Sequence, residues 1–122
     1  MSHHETWGKY TPTITGVNNV TSSTAYECQW MRIDKVVTVS GQVAITPTVN
    51  SSQTTFRMTL PIASNIGATE DVGGGGYTQN NTVAGHGINI SGDATNNEAL
   101  FDYFETHGAV DTFNFSFTYQ II

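Results

Sequence analysis

The chain has 122 residues, only 11% of them charged, and a formal net charge of -6. That length fits one domain able to bury about two-thirds of its unfolded surface. With Lys9, Arg32, Lys35 and Arg57 as the only strong cations, no basic patch can form to neutralise phosphates, which argues against nucleic acid and an anionic membrane surface as partners. No apolar run approaches a membrane span and no apolar h-region stands near the start, so neither membrane insertion nor export by a visible signal is expected. The single Cys28 has no internal partner; it reads as a buried, reduced thiol, suited to assembly in a cytoplasm.

In chain order, Tyr10 to Thr15 reads as a short strand interrupted by Pro12, which favours a sheet edge. Gly16 to Ser23 reads as a loop. Tyr26 to Ile33 is the next strand, with Tyr26, Cys28 and Trp30 on one face and Met31 and Ile33 on the other. Asp34-Lys35 is a link of hairpin length. Val36 to Thr46 is the clearest internal strand: Val37, Val39, Val43 and Ile45 share a parity, and Gly41 in that series signals a bulge, a bend or a close neighbour. Pro47 ends it, Thr48 to Thr54 reads as loop, and Phe56, Met58 and Leu60 then alternate with Arg57 and Thr59.

Ala63 to Asp71 has no dependable period. Gly73 to Gly76 is a run of glycines that forms either a flexible hairpin tip or a place where two backbones pass closely. Val83 to Ile90 and Ala99 to Glu105 read as strands around a turn from Ser91 to Asn97. The last strand is the plainest: Phe113, Phe115, Phe117, Tyr119 and Ile121 alternate with Asn114, Ser116, Thr118 and Gln120, giving one buried face and one wet face. The fold expected is all-β, an antiparallel β-sandwich of jelly-roll-like form. Residues 1–9 are read as an N-terminal arm, with Met1 to Glu5 as its anchor, and 10–122 as a single sandwich domain. Apolar groups on both faces of several strands call for a covering partner, met by oligomerisation.

Constellations that carry chemistry are sparse. His3-His4 lacks the further ligands a zinc site needs, and His86 and His107 read as ordinary loop or strand histidines. No Gly-x-Ser-x-Gly elbow is present, and Cys28 lacks a context that would lower its pKa. The carboxylates pair only as Glu70-Asp71 and as Asp102 with Glu105, which does not make a glycosidase. The glycine run lacks the lysine and helix of a phosphate loop. No catalytic residue, metal or cofactor is therefore expected. Trp7 and Trp30 read as core or interface anchors. The best ligand-binding candidate is Tyr77 with Thr78, Gln79, Asn80 and Asn81, where an aromatic face and neighbouring amides suit the stacking and hydroxyl bonding that a sugar needs.

The segments Thr6-Trp7-Gly8-Lys9-Tyr10-Thr11-Pro12-Thr13, Trp30-Met31-Arg32-Ile33, Val36 to Gly41, Leu60 to Asn65 and Phe113 to Tyr119 together resemble the β-sandwich module of bacteriophage tail-fibre and other virion surface proteins. The resemblance implies a non-enzymatic, trimeric virion component, assembled in the host cytoplasm and held by other virion proteins. It would be a capsid decoration, head fibre or tail-fibre part, and the alternative is a non-catalytic module that binds host-surface glycans.

Overall fold

The computed structural model describes residues 5–79, 85–106 and 108–122. Among the described residues there are ten strands and one short 3-10 turn: β1 (Glu5–Tyr10), β2 (Ile14–Asn18), β3 (Val20–Ala25), β4 (Cys28–Ile33), β5 (Val36–Pro47), β6 (Ser52–Met58), the turn Thr69–Asp71, β7 (Val72–Thr78), β8 (Gly87–Asp93), β9 (Glu98–Glu105) and β10 (Asp111–Gln120). All pairings are antiparallel. The hydrogen-bonded order is β1-β4-β5-β10-β7-β8-β9-β6-β2, with β3 also paired to β5.

The alternation in β10 holds along its whole length, with Asp111, Phe113, Phe115, Phe117 and Tyr119 buried. Across the interior, the Phe101 ring of β9 stands edge-on to Phe115 at 5.1 Å and to Phe117 at 6.1 Å. Phe56 of β6 stacks on Phe101 at 4.7 Å. Two antiparallel layers thus face each other through a core of aromatics, with Val37, Val39, Val43, Ile45 and Met58 filling the remainder.

Residues 16–23, expected as a loop, are strand: β2 and β3 run through them, turning at Asn19, whose φ is 62°. Their Thr, Ser and Val side chains suit a half-exposed pleated surface, a signal hidden by the density of turn-forming residues. β2 pairs with β6 while β3 pairs with β5, so one bent strand links the β2 end of the path back to β5, two strands in from the β1 end. Asn19 holds the corner. It tolerates the left-handed conformation, and its side chain donates to Val49 O (3.0 Å) and Thr54 Oγ1 (2.9 Å) and accepts from Val49 N (2.8 Å).

Other boundaries shift for local reasons. Residues 11–13 around Pro12 separate β1 from β2, so the first strand begins at Glu5, inside the stretch read as an arm. β6 takes in Ser52–Thr54, expected as loop, because Thr54 turns inward and is fully buried. β8 begins at Gly87, and Val83 and Ala84 lie outside the described residues. The turn before β9 is confined to residues 94–97, where Asp93 Oδ1 accepts from Thr95 N and Asn96 N.

Both internal glycine signals are close approaches. Gly41 faces Cys28, whose Sγ occupies the space a side chain would need. This is where β4, paired to Val36–Ser40, gives way to β3, paired to Val43–Pro47, along one edge of β5. Gly73 to Gly76 is no hairpin tip but the middle of a strand between β10 and β8. Gly74 lies opposite Phe117, and a Cβ on it would come within 2.6 Å of the Phe117 Cα and Cβ. Gly76 lies opposite Phe115, with the corresponding contacts at 3.0 Å. A Cβ on Gly73 would meet nothing within 4 Å.

The glycines of one run therefore differ in what they tolerate. Gly74→Ala should cost about 1–3 kcal/mol or more, the range of overpacked sites. Gly73→Ala, at a negative φ, should be neutral or stabilise by up to about 1 kcal/mol through the unfolded chain. Urea unfolding of both variants checks this, and equal effects would refute the assignment.

Candidate functional site

One end of the sandwich gathers residues 48–51 after β5, the described parts of the link after β7 (79 and 85–86) and of the link after β9 (106 and 108–110). The link after β9 crosses to the one after β5, since a Cβ on Gly108 would meet Asn50 at 3.4 Å. Val49, Tyr77 and Val110 are exposed here, an apolar fringe on otherwise polar loops.

The predicted ligand-binding residues fall at this end. Tyr77 is 57% exposed on the outer face, opposite Asn114, with Gly85 against its ring. Gln79 is exposed, and its backbone N donates to Thr112 O at 2.8 Å, which fixes the start of the link. Thr78 departs from expectation: it is half-buried, and its Oγ1 accepts from His86 N at 3.2 Å while its own N donates to His86 O at 3.1 Å. It clasps the hairpin through His86. Asn80 and Asn81 lie outside the described residues, as do His3, His4 and His107.

Beneath these links lies a cluster that the sequence reading did not assemble. His86 precedes β8, Glu105 ends β9 and Asp111 begins β10. Glu105 is 0% and Asp111 2% exposed. His86 Nε2 stands 3.6 Å from Asp111 Oδ1, and Gly108 N donates to Glu105 Oε2 at 2.8 Å. Aromatic rings wall the cluster: His86 stacks on Tyr103 at 5.3 Å and meets Phe113 edge-on at 5.6 Å. Burial, then the hydrogen bond and charge of Glu105, push the Asp111 carboxyl up to about 8. Burial and the same two carboxyls also push the Tyr103 hydroxyl upward.

A sequence signal for this pair did exist. Glu105 continues the parity of Phe101 and Tyr103, and Asp111 that of Phe113 and Phe115, so each carboxyl extends a buried aromatic series. Asp102, paired with Glu105 in the sequence reading, lies on the opposite parity, beside Thr55 and Asn89 in the ladder.

A second surface lies on the outer face of β1, β4 and β5. Trp7, expected as a core or interface anchor, is 78% exposed and so is no part of the core. It borders a groove of about 420 Å³ lined also by Lys9, Gln29, Met31, Thr38 and Ser40. Trp30 faces the other way, partly buried against the core, with its ring across Gly8. Cys28 is buried as expected, and burial raises its thiol pKa.

No protein-family model matches the chain, and no curated protein matches it in sequence. Among solved structures it is similar to the C-terminal receptor-binding domain of the avian reovirus fibre sigmaC, with a TM-score of 0.60 and 13% identity over 98% of this chain and 78% of that one. A longer piece, sigmaC117-326 of avian reovirus, matches with a TM-score of 0.57 and 11% identity over 99% of this chain. The present chain spans 63% of that longer piece. At such identities the likeness is one of fold.

The buried carboxyls make a prediction about stability. Asp111 holds its proton in the folded chain up to about pH 8, whereas an unfolded aspartic acid loses it near 4. Its contribution is thus fully present below about pH 4 and is lost as pH rises through about 8. In metal-free buffer Asp111→Asn should raise Tm over the parent by several degrees at pH 9 and by much less at pH 5. A Tm difference independent of pH would contradict this.

Proposed function

We propose that this chain is the head module of a virion surface fibre, a non-catalytic domain that binds a receptor on the host cell. The observation that carries this reading is the fold likeness to a receptor-binding fibre domain over 98% of the chain. The loop end supports it, with Tyr77 near the end of β7 and Gln79 just beyond it, both exposed beside Val49 and Val110. Between display alone and receptor binding, these two observations favour receptor binding. The resemblance of Trp7 to Thr13 and Phe113 to Tyr119 to phage virion modules points to a bacteriophage particle, with cell-surface glycan as the ligand class.

The fibre reading also calls for three copies. Trp7, Met31, Ile33 and Val36 lie on or beside the outer face of β1, β4 and β5, all exposed. Burial between subunits would remove that apolar strip from water, whereas the loop end would stay free.

Two measurements bear on this. Native mass spectrometry should give about three times 13.2 kDa, and Met31→Ser with Trp7→Ser should shift the population to monomer; a clean monomer for the parent would remove the trimer. Glycan-array binding should be lost or weakened roughly tenfold by Tyr77→Ala, since aromatic stacking contributes about 0.5–1.5 kcal/mol beyond burial. No binding to any host glycan or host cell would overturn the receptor reading.

A further inference from the structure

We infer that His86, Glu105 and Asp111 form a binding site for one divalent metal ion, of the zinc class, buried beneath the loop end. Each residue offers a ligand atom, and these atoms all lie within 4.8 Å of one another. Two ligands about 2.1 Å from a tetrahedral ion stand about 3.4 Å apart, close to the 3.6 Å between His86 Nε2 and Asp111 Oδ1. An imidazole with two carboxylates is a donor set that zinc accepts, and the site contains no thiolate, because Cys28 packs elsewhere against Gly41.

A second observation is independent of that geometry. The Tyr103 side chain is 4% exposed, and among the described residues its hydroxyl meets no partner at both the distance and the angle of a well-formed hydrogen bond, although both carboxyls stand close enough to act on it. Buried hydroxyls are ordinarily bonded. With Glu105 and Asp111 drawn onto an ion, Tyr103 is placed to bond a coordinating carboxylate, the outer contact that fixes a ligand's orientation.

Charge points the same way. Two carboxyls at 0% and 2% exposure are costly to ionise side by side, and a divalent ion matches their two charges. It would tie the beginning of β8, the end of β9 and the beginning of β10 together. Through the His86–Thr78 backbone bonds it would also brace the strand that carries Tyr77. The inference stands whether or not that surface binds a receptor.

The test uses the full chain carrying His3→Ala and His4→Ala, so that adjacent terminal imidazoles do not contribute. After stripping with EDTA, Zn²⁺ is titrated by calorimetry, and Co²⁺ is followed by visible absorption. The expected result is one ion per chain, a rise in Tm with Zn²⁺, and Co²⁺ bands distinct from the aqueous ion. Asp111→Asn, Glu105→Gln and His86→Gln should each weaken binding by more than about tenfold, the lower end of the loss seen for outer-shell partners alone. Absence of Zn²⁺ binding, or binding unchanged in all three variants, overturns the inference. Should the variants fail to fold, the Co²⁺ spectrum of the parent decides, and a spectrum identical to that of the aqueous ion rejects the site.

Discussion

The fit of a glycine strand against an aromatic strand is the constraint on which the rest of the structure depends. β10 supplies four aromatic side chains to the core, and its neighbour β7 gives up its own side chains at Gly74 and Gly76 to let that strand lie close. Glycine in a strand interior costs conformational entropy and contributes no side chain. Here the loss is offset across the ladder: Phe115 and Phe117 stack at 6.1 Å and meet Phe101 from the far layer. Because those rings reach β9, the two glycines set the spacing of both layers, and β8 and β9 follow in register.

Closure depends on two smaller devices, one midway along β5 and one just past its end. At Gly41, Cys28 occupies the space left by the missing side chain, and β5 exchanges one edge partner for another. At Asn19 the chain turns from β2 into β3, and one amide side chain bonds both the link after β5 and the buried Thr54. Together they let a single bent strand bridge two edges that would otherwise expose unpaired N–H and C=O groups. Among the described residues, β1, the strand that carries Trp7, ends the path and pairs only with β4. An open edge beside an apolar outer strip is surface that pairing with another chain would cover.

What the sequence disclosed followed its periodicity. The aromatic alternation of Phe113 to Tyr119 and the valine parity of Val37 to Ile45 fixed both core strands and their inward faces, because burial on one side leaves a period of two. Where polar residues filled a strand the signal failed: Thr21, Ser22 and Ser23 sit in β3, exposed, and read equally well as loop. Gly73 to Gly76 admitted two readings, and only the register with Phe115 and Phe117 separates them. At the site, Tyr77 and Gln79 were legible as exposed loop-end residues, but Thr78 was not legible as a hairpin clasp, since its partner His86 is brought to it by the fold. Glu105 and Asp111 meet for the same reason: each lies at a strand end, and only the sheet order brings those ends together.

The distribution of polarity gives the molecule its division of labour. A chain this poor in charge keeps its core almost wholly apolar and confines buried ionisable carboxyls to one end, at Glu105 and Asp111. Those groups are costly where they lie, and their cost falls on the layer that supports the exposed loops. The opposite end shows the contrast. There Tyr119 Oη donates to Ile62 O at 2.7 Å and Ser64 Oγ to Gln120 O at 2.8 Å, plain neutral bonds that fasten the final strand. One end of the sandwich is tied off by neutral hydrogen bonds, whereas the other buries His86, Glu105 and Asp111 beneath the surface that carries Tyr77.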